Sequence, residues 1–349
     1  MTAIPKFSPA DFASDQEVRW CPGCGDYSIL KAVQRTLSQI GASPDNTVFV
    51  SGIGCSSRFP YYVETYGFHT IHGRAPAIAT GVKLANPALD VWIVTGDGDG
   101  LSIGGNHMMH LLRRNLDCQV LLFNNEIYGL TKGQCSPTSR VGTRSPSTPF
   151  GSVDQPVNPC RLALGAGARF IARAYDIAQK QIPAILQRAY EHKGTSFVEI
   201  YQNCVVYNDG AFERFAGKKV APDAQLWLEH GKTMIFADGT KGLRLDRDNL
   251  KLEVVSVTPE SAEGAGLLVH DETNRTLAQL LIDMPFGDFP IALGIVYCDP
   301  AAAFDSVVSE QSRKVAAGKP RDLGALLRKG ETWSVGDEKI TSSSHQGRA

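Results

Sequence analysis

The chain has 349 residues, enough for one large domain or two ordinary ones. Its 43% hydrophobic and 20% charged content suits a soluble globular core, and a net charge of −1 gives no electrostatic footprint for nucleic acid. No run of 18 apolar residues exists, which argues against a membrane-spanning helix, and the first 20 residues lack the apolar core of a signal peptide. A reducing, cytoplasmic setting is therefore expected, in which the eight cysteines read as metal ligands or core residues rather than disulfides.

Residues 1–18 are polar and carry two prolines, as an arm that wraps another surface would. Trp20-Cys21-Pro22-Gly23-Cys24-Gly25 follows, where glycines allow a knuckle that turns two thiols toward one metal centre. Ile29, Leu30, Val33, Leu37 and Ile40 then recur at helical spacing, which predicts a helix over 26–40, capped by Asp26 and stopped by Gly41. Thr47 to Val50 reads as a short strand that feeds the Gly/Ser loop 51–58, and His69 to Arg74 as a polar turn before a helix over 75–84.

Residues 91–132 carry the most chemistry. An apolar run, 91–95, reads as a buried strand, followed by the loop Gly96-Asp97-Gly98-Asp99-Gly100, a helix over about 103–115 and a second apolar run, 118–123. A strand–helix–strand crossover makes the two strands parallel, so Asp97 and Asn125 are expected at the same sheet edge, where open α/β sheets bind ligands. A carboxylate and an amide beside flexible glycines suit a hard cation bridging to a phosphate, Mg²⁺ above all. Tyr128 to Asp154 is a long Gly/Ser/Thr/Pro loop of the kind that is functional or lies against a partner. Helices over 159–165 and 178–192 with strands over 169–172 and 196–201 complete an alternating pattern, hence an α/β, doubly wound parallel sheet.

Beyond residue 204 the character turns more polar, with hairpin-like pieces and a helix over about 271–284, and the chain ends in a polar tail. Cys21 and Cys24 could be a redox pair, a zinc knuckle or half of an iron–sulfur site. Cys55 and Cys204 sit at loop-like strand ends, and four thiols suffice for a [4Fe–4S] cluster, with Cys135 of the long loop the competitor to Cys204. Cys118 lies within a strand and reads as core. Among the cations, Arg58, Arg74 and Lys132 stand out by position, Lys132 lying on the loop that leaves the cofactor edge. His72 is placed to donate to a phosphate, His107 and His110 read as surface or packing residues, and Glu126 is expected to point away from the cation.

The Gly-Asp-Gly and Asn-Asn pair resembles the motif of thiamine-diphosphate enzymes, which implies Mg²⁺ held by Asp97, Asn125 and the carbonyl of Ile127. With it, the stretches WCPGCGDYSIL, SGIGCSSRFP, HGRAPAIATGVKLANP, GDGDGLSIGGNHMMH and FNNEIYGLTKGQ are similar to the β subunits of 2-oxoacid:ferredoxin oxidoreductases over about residues 16–210, most of all to 2-oxoglutarate-using members. The resemblance implies a sheet of the thiamine-diphosphate-binding type and a domain over 19–210 that carries thiamine diphosphate, Mg²⁺ and one [4Fe–4S] cluster on Cys21, Cys24, Cys55 and Cys204. It implies cofactor contacts at Ile53, Gly54, Cys55, Ser56, His72, Gly98, Asp99, Gly129 and Leu130. Lys132, where pyruvate enzymes of the family tend to have Gly, is expected to pair with the distal carboxylate of 2-oxoglutarate, with Arg58 assisting. The activity implied is decarboxylation of 2-oxoglutarate with coenzyme A to succinyl-CoA and CO₂, or its reverse, with ferredoxin as electron partner. A pyruvate or broad 2-oxoacid enzyme is the near alternative. A cluster-free thiamine diphosphate carboligase and a non-enzymatic subunit are the distant ones. No residue stands where thiamine chemistry wants its activating carboxylate, so an α subunit is expected to supply it in an α₂β₂ type assembly. Residues 211–328 are expected as a less regular extension at a subunit interface, and 329–349 as a disordered tail.

Overall fold

The computed structural model describes residues 7–258, 266–318, 322–333 and 335. It comprises two compact units, Met1–Val308 and Ser309–Ala349. In the first, the elements run α1 (Asp26–Gln39), β1 (Thr47–Ser51), β2 (Tyr66–His69), α2 (Ala75–Ala85), β3 (Asp90–Gly96), α3 (Gly105–Arg114), β4 (Cys118–Asn124), α4 (Pro159–Gly165), β5 (Phe170–Tyr175), α5 (Gln181–Glu191) and β6 (Thr195–Tyr201). The short α6 (Glu213–Ala216) and α7 (Ala221–Ala224) follow, then β7 (Gln225–Leu228), β8 (Ile235–Phe236), β9 (Lys241–Asp246), β10 (Lys251–Ser256), α8 (Arg275–Ile282) and β11 (Ile291–Cys298). Last come α9 (Phe304–Ala316) and, within the second unit, α10 (Leu323–Leu327), whose first turn is capped by the Asp322 carboxylate accepting from Ala325 N at 2.9 Å. Met1 to Lys6 of the expected arm and most of the expected disordered tail lie outside the described residues.

Eight strands form one sheet in the order β2-β1-β3-β4-β6-β5-β11-β7, while β8, β9 and β10 form a small antiparallel sheet. Every pairing in the large sheet is parallel except β11 with β5. Side-chain alternation divides the strands between two apolar layers. Val48, Val50, Ile93, Val120 and Leu122 face α2, α3, α4 and α8 through Ala79, Met108, Leu112, Leu164 and Leu281. Phe49, Trp92, Val94, Leu121 and Phe123 face α1 and α5 through Ile29, Val33, Leu37, Ile182 and Leu186. Each fully buried side chain of this size contributes about 1.5–3 kcal/mol. Helices on both faces of a mostly parallel sheet make this the doubly wound arrangement expected.

Three expectations are corrected. Residues 211–328 are not merely an irregular extension, because β7 and β11 lengthen the large sheet and the sheet has no break at residue 210. β2 falls where no strand is expected, since its four side chains are all exposed and leave no alternation to read. Asp26 does not cap α1. Gly25 takes the cap position, and the Asp26 carboxylate is buried without a hydrogen-bond partner, its carboxyl pushed up to about 7 by that burial.

Beneath the sheet edge lies one buried ion pair. Arg173 of β5 and Glu199 of β6 are cross-strand partners, and the guanidinium donates to the carboxylate at 2.9 Å. Glu199 also accepts from the Asn124 amide at 2.8 Å and the Cys160 thiol at 3.2 Å, and Arg173 donates to Asn158 Oδ1 at 2.9 Å. Removing one member strands a buried charge. Arg173→Met should therefore cost about 3–5 kcal/mol, and the same change in a Glu199→Gln background distinctly less, as read from urea unfolding midpoints.

Candidate active site

Strands β1, β3, β4 and β6 are consecutive in the sheet and parallel, so the loops that leave them meet at one edge. There a pocket of about 110 Å³ is lined by Ile53, Gly54, Cys55, Ser56, His72, Asp97, Gly98, Asp99, Asn125, Ile127, Gly129 and Leu130. Every residue expected to touch diphosphate or cation is thus brought together.

Their roles within the pocket differ. Asp97 is buried, and burial raises its carboxyl above the ordinary range against the pull of two hydroxyls. Ser136 and Thr138 of the long loop donate to its Oδ2, at 2.5 and 2.6 Å, so the loop leaves Oδ1 unengaged. Asn125 turns its amide nitrogen to Gln202 Oε1 at 2.8 Å, and its Oδ1 accepts from Ile127 N at 3.2 Å. A carboxylate, an amide oxygen and a backbone carbonyl are the oxygen donors a hard cation takes. Gly98 is obligatory, because a Cβ there would stand 2.2 Å from the Tyr128 ring, whose hydroxyl donates to Gly98 O. Glu126 points away as expected, its carboxylate paired with Arg140 at 2.8 Å and Arg214 at 3.6 Å.

Asp99 lines the pocket with its carboxylate already engaged by protein donors. Its Oδ1 accepts from Ile53 N (3.0 Å), Gly73 N (2.7 Å) and His72 Nδ1 (2.6 Å), and its Oδ2 from Thr95 Oγ1 (2.6 Å). The carboxylate is occupied in tying the loop after β1 and the 72–73 turn to β3, and its effect on a ligand is through His72. A carboxylate only accepts, so His72 carries its proton on Nδ1 and leaves Nε2 for the pocket. Arg74 is likewise structural, donating to Ile103 O at 3.2 Å.

A second cavity, of about 230 Å³, adjoins the first and is lined by Cys21, Cys24, Cys55 and Cys204, with Arg58, Gly129, Leu130 and Lys132. A Cβ placed on Gly129 would be 3.4 Å from Cys204 Sγ and 3.8 Å from Cys55 Sγ, so two thiols from the loops after β1 and β6 flank that backbone. Burial pushes the Cys55 thiol up to about 12, with Asp26 and Cys204 adding to it, and it raises Cys24 as well. Cys135 is elsewhere, its Sγ donating to Thr143 O at 3.6 Å. Cys118, Cys160 and Cys298 are buried away from the cavity. Among the described residues no group of three or more His, Cys, Asp and Glu converges on a single point, as one metal ion would require.

The sequence reading missed Ser136, Thr138, Ser139 and Gln202. Ser139 donates to Glu126 O at 2.5 Å, and Thr138 also reaches Asn124 Oδ1 at 2.9 Å. The Ser136 and Thr138 hydroxyls meet Asp97 from about forty residues along the chain, a separation at which no local pattern points to them.

Residues 52–200 match the thiamine pyrophosphate enzyme C-terminal TPP-binding domain. The 2-oxoglutarate oxidoreductase subunit KorB of Mycobacterium tuberculosis is 46% identical over 93% of this chain and 88% of its own length. The chain belongs to the family of 2-oxoacid:ferredoxin oxidoreductase β subunits. The β subunit of 2-oxoacid:ferredoxin oxidoreductase 1 of Aeropyrum pernix is 50% identical over 54% of this chain and 60% of its own. A solved structure, 2-oxoglutarate:ferredoxin oxidoreductase from Magnetococcus marinus with 2-oxoglutarate, coenzyme A and succinyl-CoA bound, has a chain that superposes with a TM-score of 0.75 at 30% identity. That match covers 95% of this chain and 98% of the other. Membership in this β-subunit family removes the ground for the carboligase and non-enzymatic readings.

Within this family site, the long loop's hydroxyls hold the Asp97 edge in place. Thr138→Val should destabilise the protein by about 1–3 kcal/mol, because the buried Asp97 carboxylate loses one of the two hydroxyls that donate to its Oδ2, while Thr138→Ser should recover most of it; thermal unfolding reads both.

Proposed function

We propose that this chain works with an α subunit to decarboxylate 2-oxoglutarate oxidatively. 2-Oxoglutarate, coenzyme A and two oxidised ferredoxins give succinyl-CoA, CO₂, two reduced ferredoxins and a proton, and the reverse carboxylation uses the same groups. The observation that carries this is the adjacency of the two cavities, which share Cys55, Asn125, Gly129, Leu130 and Gln202. An oxygen-lined pocket would suit Mg²⁺ and a diphosphate, and one lined by Cys21, Cys24, Cys55 and Cys204 would suit a [4Fe–4S] cluster. Thiamine diphosphate supplies an electron sink for the bond broken when CO₂ leaves, and the cluster takes electrons singly.

In this reading Asp97, Asn125 and the Ile127 carbonyl hold Mg²⁺, His72 Nε2 and the backbone of the 53–56 loop meet the diphosphate, and Cys21, Cys24, Cys55 and Cys204 hold the cluster. The carboxylate that activates the aminopyrimidine belongs to the α subunit. The long loop, where Phe150 is 97% and Val153 85% exposed, and residues 211–328 are the candidate contact faces for that subunit. Among the described residues no helix is long and apolar enough to cross a membrane. The free cysteines suit a reducing cytoplasm.

Lys132 and Arg58 line the thiol-bounded cavity and present positive charge there. Lys132 holds φ +78, a left-handed conformation that glycine adopts freely and a side chain adopts at a cost of about 1–2 kcal/mol. A lysine kept where the backbone favours glycine fits a role for its charge, here toward the distal carboxylate of 2-oxoglutarate.

The assay is viologen reduction by the co-expressed α and β chains over several 2-oxoacids. Lys132→Gly should raise KM for 2-oxoglutarate at least tenfold more than for 2-oxobutyrate while stabilising the fold slightly; an equal loss for both oxoacids refutes the assignment. Separately, anaerobically purified Cys204→Ser should lose cluster iron and Cys135→Ser should retain it, by iron and sulfide analysis; the opposite pattern moves the ligand to the long loop.

A further inference from the structure

One side chain touches both cavities in a way the proposed chemistry does not yet use. Gln202 directly follows β6 and is 2% exposed. Its Nε2 donates to Cys24 Sγ at 3.2 Å and to Asn203 O at 2.6 Å, and its Oε1 accepts from Asn125 Nδ2 at 2.8 Å. Both amide protons and the amide oxygen are therefore engaged. The opposite amide orientation would set oxygen against the Asn203 carbonyl and one NH₂ against another, so the contacts admit a single orientation.

That orientation has two consequences. Because Oε1 takes the Asn125 NH₂, the Asn125 oxygen is turned away from Gln202 and accepts from Ile127 N at 3.2 Å. Because Nε2 points at Cys24, an N–H is aimed at a sulfur of the thiol cavity. Hydrogen bonds to cluster sulfurs stabilise the more negative, reduced state and raise the potential. Partners of metal ligands typically shift affinity 10–100-fold when removed.

We propose that Gln202 is a positioning residue for both cofactor sites at once, fixing the amide of the cation ligand Asn125 and donating a hydrogen bond to the cluster ligand Cys24. It rests on the reading of those two residues as ligands. One amide thus couples the site where electrons are released to the site that accepts them, and the coupling is built from side chains of a single subunit.

The test uses the co-expressed αβ complex. Gln202→Leu keeps the volume and removes all three hydrogen bonds, and Gln202→Asn keeps an amide on a shorter stem. Two readouts are independent of turnover: the cluster midpoint potential from an EPR-monitored redox titration, and the Mg²⁺ concentration that half-saturates thiamine diphosphate binding. Gln202→Leu should move the potential to more negative values and raise the Mg²⁺ requirement 10–100-fold, at unchanged iron content. Gln202→Asn should shift both in the same direction and by less. An unchanged potential and Mg²⁺ requirement in an iron-replete Gln202→Leu complex overturn the proposal. Cys24→Ser and Asn125→Ala separate this failure from that of the underlying reading: if iron content survives the first and Mg²⁺-dependent binding the second, the ligand assignments themselves are wrong.

Discussion

The constraint on which the site depends is the parallel alignment of four neighbouring strands. Parallel pairing of β1 with β3, β3 with β4 and β4 with β6 makes their carboxyl ends coincide. Four loops that are remote in sequence, beginning near residues 52, 97, 125 and 202, must then share one edge. A strand reversed among them would send its loop to the opposite edge and divide the thiols or the oxygen donors. The two strands that run the other way, β11 and β7, lie beyond β5, where no site residue depends on them.

Within that edge, buried carboxylates serve as fasteners more than as reactants. Asp99 accepts from the loop after β1, from the 72–73 turn and from β3, and so fixes the spacing of the pocket walls. Glu199, one layer deeper, holds Arg173 and Asn124, and Asn124 in turn meets Thr138, whose hydroxyl reaches Asp97. A continuous polar chain therefore runs from the middle of the sheet to the cation edge. Its members are buried, so each unpaired group would cost about 1–3 kcal/mol, which ties the order of the site to the integrity of the core.

Much of this was legible in the residues. The apolar run before Gly96, the helical spacing after it and the run ending at Asn124 define a crossover, and the hand and direction of crossovers place Asp97 beside Asn125 with no further information. The Cys21/Cys24 knuckle and the Gly/Ser loop at Cys55 were equally local. The partners that orient these groups were not. Ser136 and Thr138 stand about forty residues from Asp97, Gln202 stands 178 positions from Cys24, and a hydroxyl or an amide in a polar loop looks the same whether it is solvated or buried against a carboxylate. Asp26 misled for a related reason: an acidic residue at a helix start usually caps it, but here Gly25, packed against Asp176, stands at the cap position and the Asp26 side chain is buried.

By itself the sequence determined the period of each strong element, the doubly wound class and the residue types at the strand ends, because periodicity and loop chemistry are encoded within a dozen neighbouring residues. Tertiary structure alone decided that β7 and β11 belong to the large sheet, that Ser136 and Thr138 meet Asp97, and that the Asp99 carboxylate ties three segments together. Those outcomes depend on which distant segments meet in a close-packed interior, and that information resides in the joint packing of the whole chain, not in any stretch of it.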